Sequence, residues 1–154
     1  MNSSSSDSAQ RLAEAVVRKM FEDDAASQKM GMRVVEVRPG YARVEMKVKR
    51  EMTNGHGTCH GGYVFSLADS AFAFACNSYN FATVAAGCSI DFLIPVHAED
   101  ELTAEATEQA LSGRSGVYDV SVRNQKRECV ALFRGRSRRI PGQFVSQESE
   151  GAAE

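Results

Sequence analysis

The chain has 154 residues, of which 43% are hydrophobic and 25% are charged. This length fits one domain that can bury a core, and the composition excludes a fibrous or wholly disordered chain. A net charge of -2 and an isoelectric point near 6.0 give no general basic field, so we expect no nucleic-acid and no membrane partner.

The cysteines and the first residues bear on the cellular compartment. The four cysteines match no CxxC or zinc-ribbon spacing and are expected to be free thiols: Cys59, Cys76, Cys88 and Cys129. No apolar run approaches the roughly 18 residues of a membrane span, and the N-terminus lacks the basic and apolar regions of a signal peptide. We therefore expect a cytoplasmic protein.

A folded part is expected between two polar ends. Residues 1–8 are Ser-rich and are predicted to be disordered, and residues 142–154 are predicted to form a flexible tail, because neither offers apolar surface to bury. The single domain is therefore assigned to residues 9–141. Its first element, from Ala9 to about Ala26, carries apolar residues at helical spacing and is predicted to be a surface helix.

The remaining elements follow in order. Residues 32–38 are rich in valine, Pro39-Gly40 supplies a turn, and residues 41–49 alternate polar and apolar side chains, which together predict a hairpin. Residues 61–78 form a long apolar stretch typical of a buried helix. Four further strands are predicted at about 82–94, 101–110, 116–124 and 128–139. The short turn segments at 97–100, 111–115 and 124–127 favour antiparallel neighbours. An α+β fold, with about six strands curled around the central helix, is the expected result.

The segment from Asn54 to Asp69 carries the candidate chemistry. Gly61 and Gly62 open the central helix, where unpaired N–H groups and the positive end of the helix dipole can stabilise a developing oxyanion. Asp69 lies two turns into a helix almost free of charge. Two structural alternatives stay open: the glycines form an ordinary tight junction, or Asp69 is capped by Ser66 or Ser70.

Helix geometry separates these two groups. Gly61 and Asp69 are eight residues apart, which is about 12 Å along a helix that rises 1.5 Å per residue. One carbonyl cannot contact both groups of the same chain. If the two groups share a substrate, Gly61 of one chain must face Asp69 of another, so the enzyme hypothesis predicts a dimer.

The motifs resemble a known enzyme family. Asn54-Gly-His, His60-Gly-Gly and Ser66-Leu-Ala-Asp69, followed by Ser89-Ile-Asp-Phe-Leu, Gly116-Val-Tyr-Asp and Ala131-Leu-Phe-Arg-Gly-Arg-Ser, are similar to those of the phenylacetic acid degradation thioesterases of the hotdog-fold superfamily. The resemblance covers roughly residues 20–141. It implies a hotdog fold, a dimer with a continuous sheet that usually assembles into a tetramer, and hydrolysis of acyl-coenzyme A with phenylacetyl or hydroxyphenylacetyl groups.

The resemblance also implies roles for individual residues. The backbone N–H of Gly61 would polarise the thioester carbonyl, and Asp69 would act as nucleophile or general base. Asn54 would hold the carbonyl or its water, and Ser89 would orient the hydrolytic water. None of these roles needs a metal or a cofactor, because a thioester has weak carbonyl resonance and a good leaving group.

Substrate contacts are predicted beside these residues. His60, Gly62 and Tyr63 are assigned to substrate binding, and of these Tyr63 is the candidate to line an acyl pocket. A basic cluster is assigned to the coenzyme A phosphates, with a solvated charged face as the alternative, and comprises Arg114, Ser115, Arg136, Arg138 and Arg139. One departure from many relatives is Ile94 before Pro95, where they carry a basic residue, which weakens any phosphate contact there.

Other chemistries are less well supported by the sequence. The spacing of His56, Cys59, His60 and Cys76 matches no standard zinc site, and adjacent side chains at Cys59 and His60 diverge. A hotdog-fold hydratase would use a histidine, with His60 as the local candidate. A noncatalytic acyl-coenzyme A sensor would bind without turnover. Thioester hydrolysis is the leading hypothesis.

Overall fold

A computed structural model describes residues 3–146 of the chain. Three α-helices and six strands lie in the order α1 (Ser3–Asp23), α2 (Ala25–Lys29), β1 (Arg33–Arg38), β2 (Tyr41–Lys47), α3 (Gly61–Asn77), β3 (Thr83–Phe92), β4 (Glu101–Ser112), β5 (Ser115–Arg123) and β6 (Cys129–Arg139). A short 3-10 turn, Arg50–Met52, precedes the loop into α3. The predicted central helix and strands are confirmed, each within two residues at either end.

The strands form one antiparallel sheet in the order β1-β2-β4-β5-β6-β3. Five antiparallel pairings hold it together, and a bulge interrupts β3 between Ala85 and Gly87. The prediction that the 97–100 turn joins neighbouring strands is wrong. The chain leaves β3 at one edge of the sheet, beside β6, and crosses to β4 next to β2. Strand β3 therefore has one paired side and one open side.

Helix α3 packs on one face of this sheet and supplies the centre of the core. The Phe72 ring lies 5.6 Å from that of Tyr118 and 5.8 Å from that of Phe133, in tilted and edge contacts. All three residues are at most 2% exposed. Gly135 lies under Phe72, where a side chain would not fit.

Among the described residues, no helix is both long and apolar enough to cross a membrane.

Both ends of the domain extend further than the sequence predicts. Helix α1 begins at Ser3, so residues 3–8 form an exposed helical extension rather than a disordered segment, since neither glycine nor proline interrupts them. At the other end, the Asn80 side chain accepts hydrogen bonds from the N–H groups of Phe144 and Val145 and donates to the Val145 carbonyl. These contacts fix residues up to 145. The predicted tail beyond residue 146 lies outside the described residues.

Candidate active site

The loop before α3 is held together by Asn54. Its Oδ1 atom accepts hydrogen bonds from the N–H groups of His56 at 2.9 Å and Thr58 at 3.3 Å, and from the Thr58 hydroxyl at 3.1 Å. These bonds occupy the carbonyl end of the amide. The side chain is exposed, and its Nδ2 group donates to no acceptor within residues 3–146. Asn54 therefore shapes the loop and keeps one free donor.

His60 caps the start of α3. Its Nδ1 atom accepts a hydrogen bond from the Gly62 N–H at 3.3 Å, and its carbonyl accepts one from the Tyr63 N–H at 3.0 Å. Within the described part of the chain, the Gly61 N–H has no acceptor. The helix thus begins with one unpaired donor at its positive end, which is the arrangement that stabilises an oxyanion. The cap engages Gly62 and leaves Gly61 open.

Asp69 lies half-buried on α3 without a hydrogen-bond partner among residues 3–146. The two serines considered as caps are engaged elsewhere: the Ser66 hydroxyl donates to the Gly62 carbonyl at 2.8 Å, and the Ser70 hydroxyl lies 2.9 Å from the Ser27 hydroxyl. Burial, followed by the negative charge of Asp24, raises the pKa of Asp69 above its ordinary value. A raised pKa makes the carboxylate a stronger base.

Helix α3 runs antiparallel to β3. Asn77, at the end of the helix, donates to the Thr83 carbonyl and accepts from the Thr83 N–H, and Gly61, at its start, lies against the Phe92 ring. Asp69 is therefore level with the middle of β3, where its charge raises the pKa of the Cys88 thiol after the larger effect of burial.

The structure does not bring Ser89 to Asp69 of the same chain. Ser89 is paired with Arg134, which is exposed, whereas its neighbours Cys88 and Ile90 are paired with Gly135 and Phe133 of the buried face. Side chains alternate across a strand, so Ser89 points to the face opposite α3. The assignment of Ser89 to the hydrolytic water has no geometric support within one chain.

An apolar depression of about 460 Å³ opens beside Gly61. Its walls include Val64 of α3 and the segment Phe92-Leu93-Ile94, whose side chains are 56%, 53% and 36% exposed. Tyr63, predicted to bind substrate, is partly buried against the core and does not line this depression. The sequence analysis missed Phe92 and Leu93, although three large apolar residues in succession at a strand end are a detectable signal.

The predicted phosphate cluster divides between two faces of the sheet. Ser115, Arg136 and Arg138 share an exposed depression of about 300 Å³ on the face away from α3. Arg139 alternates to the other side, where its guanidinium lies 4.4 Å above the Phe81 ring. Arg114 is exposed in the β4–β5 turn, and its carbonyl accepts from the Arg139 N–H. Three of the five predicted residues are therefore together.

A cysteine nucleophile does not fit the loop. The Cys59 side chain is buried, and burial followed by the charge of Asp100 raises the pKa of its thiol to about 11. The thiol is therefore protonated near neutral pH, whereas the thiolate is the reactive form. In the described residues, no three His, Cys, Asp or Glu side chains are grouped to hold a metal ion.

Known proteins are similar to this chain in sequence and fold over most of their length. Residues 56–131 match the family model described as Thioesterase superfamily. The acyl-coenzyme A thioesterase PaaI of Escherichia coli is 48% identical over 128 residues, which are 83% of this chain and 91% of PaaI. The solved structure of the E. coli PaaI protein, from the phenylacetic acid degradation operon, has a TM-score of 0.87 at 46% identity and covers 88% of this chain and 99% of that one.

Two further solved structures contain ligands of one chemical class. A thioesterase protein of Streptococcus pneumoniae solved with coenzyme A has a TM-score of 0.76 at 28% identity, covering 82% of this chain and 98% of that one. A Streptococcus mutans protein bound to acetyl CoA has a TM-score of 0.70 at 26% identity, covering 74% and 91%. The fold described above is therefore shared by proteins that bind coenzyme A or its acetyl thioester.

Proposed function

Because the chain belongs to the thioesterase superfamily and is a thioester hydrolase, we propose that it cleaves small aryl-acetyl coenzyme A substrates such as phenylacetyl-coenzyme A. The resemblance identified from the sequence, and the hotdog fold it implies, are confirmed by the same similarities. The observation that carries the proposal is the unpaired Gly61 N–H at the start of α3, next to an apolar depression that suits an acyl group.

The proposed chemistry uses two groups on opposite sides of the thioester. The Gly61 N–H donates to the carbonyl oxygen and stabilises the negative charge that develops there. If Asp69 attacks the carbonyl carbon, the coenzyme A thiolate leaves and water then hydrolyses the mixed anhydride to the free acid and the Asp69 carboxylate. If Asp69 instead takes a proton from the attacking water, the free acid forms directly as the thiolate leaves. No metal or cofactor is needed for these steps, because the thioester carbonyl is already electrophilic.

The two groups are proposed to come from two copies of the chain. Their separation of eight residues on α3 is about 12 Å, which is too far for one carbonyl. Strand β3 offers an open edge of ten residues, and Val84 on it is 45% exposed. A long open edge with exposed apolar side chains favours pairing with a second strand. A dimer joined along β3 is therefore the proposed unit, with a tetramer as its further assembly.

Coenzyme A is proposed to reach the arginines on the outer face. Arg136 and Arg138 are exposed and form no ion pair within residues 3–146, whereas Arg134 is held by both oxygens of Asp119. Free guanidinium groups bind phosphate oxygens well. Ser115 adds a hydroxyl to the same depression.

The experiment that tests the catalytic assignment is the hydrolysis of a panel of acyl-coenzyme A thioesters by Asp69→Asn and Asp69→Ala variants. Both variants should lose well over tenfold in kcat/KM while the oligomer seen by sedimentation stays intact. Asp7→Asn is the matched control, because Asp7 is an exposed carboxylate on α1 with the same change of charge. Wild-type rates in both Asp69 variants would exclude Asp69 from the reaction.

A further inference from the structure

A partly buried hydrogen-bond chain connects α2 to the turn of α3 that carries Asp69. The Asp24 carboxylate caps α2 by accepting from the Ser27 N–H at 3.0 Å, and its other oxygen accepts from the Ser27 hydroxyl at 2.6 Å. The Ser27 oxygen lies 2.9 Å from the Ser70 hydroxyl, and Ser27 is 2% exposed. Since a carboxylate only accepts, Ser27 donates to Asp24 and Ser70 donates to Ser27. Ser70 follows Asp69 directly in α3.

This chain holds a second carboxylate next to the turn of α3 that carries the proposed catalytic one. The negative charge of Asp24 disfavours the ionised form of Asp69 and, after burial, raises the pKa of that carboxyl. The other titratable groups in electrostatic contact are thiols: burial raises the pKa of Cys76, on α3, to about 12, and also raises that of Cys88, on β3. Both thiols are neutral near pH 7, so Asp24 is the nearby group whose charge can be changed by substitution.

We propose that Asp24 is a positioning residue for Asp69: through Ser27 and Ser70 it is hydrogen-bonded to the turn of α3 that carries Asp69, and it fixes a negative charge next to that turn. The inference rests on the proposed function, because it assigns a role toward Asp69 in thioester hydrolysis. The alternative is that Asp24 only caps α2, a five-residue helix. The two roles are separable, since asparagine caps a helix as well as aspartate but carries no charge.

Asp24→Asn leaves the hydrogen-bond geometry available. The amide oxygen can accept from the Ser27 N–H, the amide nitrogen can donate to the Ser27 hydroxyl, and Ser27 can then donate to Ser70. The network is kept with its direction reversed, and the negative charge is lost. A loss of stability would not move the acid limb of the reaction to lower pH, whereas loss of the charge would.

The test is the pH profile of kcat/KM for phenylacetyl-coenzyme A. Hydrolysis is measured as the decrease in thioester absorbance. Activity rises as Asp69 ionises, and a like charge nearby delays that ionisation to higher pH. The acid limb of Asp24→Asn should therefore shift to lower pH than that of the wild type. Glu22→Gln is the matched control, because it removes one exposed carboxylate from the end of α1, and its limb should stay in place.

Further variants keep the test decisive. Asp24→Ser supplies a second neutral cap and should shift the limb in the same direction, whereas Asp24→Glu retains the charge and should return it toward the wild-type position. An unshifted limb in the neutral Asp24 variants would overturn the inference. If the limb is unshifted and Asp69→Asn is inactive in the same assay, only the role of Asp24 is refuted. If Asp69→Asn is fully active, the proposed role of Asp69 in hydrolysis is refuted instead.

Discussion

The role of the Gly61 N–H can be tested with a substitution that removes this hydrogen atom. Gly61 is the first helical residue of α3, where proline is favoured because the N–H is unpaired in any case. The residue before proline avoids the α region, and His60, with φ of -59° and ψ of 130°, lies near the polyproline II conformation. Gly61→Pro should therefore preserve α3 while removing the proposed oxyanion donor.

The expected loss follows from the energy of one such donor. Removing a backbone or side-chain donor from an oxyanion site costs about 2.7–4 kcal/mol, which is roughly a hundred- to a thousandfold in kcat. Added bulk is the competing effect. A Cβ atom on Gly61 would lie 3.0 Å from Phe92 Cζ and 3.3 Å from Cε1, and the Phe92 ring is 56% exposed and can move aside.

Gly61→Ala is the control because it adds the same Cβ atom and keeps the N–H. We expect the proline variant to have a kcat roughly a hundredfold or more below that of the alanine variant, with similar melting temperatures and sedimentation. The assay is steady-state hydrolysis of phenylacetyl-coenzyme A. Equal rates in the two variants would refute the reasoning, since the N–H would then contribute nothing beyond what the added bulk explains.

Two other predictions concern packing and the coenzyme. In Gly135→Ala, the new Cβ atom would lie 2.7 Å from two atoms of the buried Phe72 ring, so we expect a loss of about 1–3 kcal/mol in the free energy of unfolding, measured with urea. Gly55→Ala meets nothing within 4 Å and should lose far less. Replacing Arg136 and Arg138 by alanine should raise KM for an acyl-coenzyme A by about tenfold or more. The same replacement should leave KM unchanged for an N-acetylcysteamine thioester, because that substrate has no phosphates. Equal effects on both thioesters would contradict phosphate binding.

Local pattern was enough to predict most of the elements. Helix α3 was predicted within one residue of its bounds, because a long apolar stretch without proline has few other solutions. The first helix was predicted as one element to about Ala26, but the structure ends α1 at Asp23 and starts α2 at Ala25. Asp24 is the cause, since its side chain caps the new helix and thereby ends the old one. A capping residue within a helical pattern is a visible but weak signal.

Which strands lie side by side in the sheet could not be predicted from the same local pattern. The turn before β4 has ordinary turn composition, yet β5 and β6 lie between β3 and β4 in the sheet. Turn composition fixes the local bend of the chain and carries no information on which strand lies alongside. For the same reason Ser89 was assigned to the site from its place in a motif, although the register with Arg134 turns it to the outer face.

The departures from ordinary folding rules lie together along α3 and β3. A helix normally begins with its donors capped, a half-buried carboxylate normally has a partner, and a long edge strand is normally covered or charged. In the described part of this chain, Gly61 lacks an acceptor, Asp69 lacks a hydrogen bond, and β3 has one open edge. Each costs stability in an isolated chain. All three costs are removed if a second chain pairs along β3 and an acyl thioester lies between Gly61 of one chain and the carboxylate of the other, because the same event supplies the missing partner in each case.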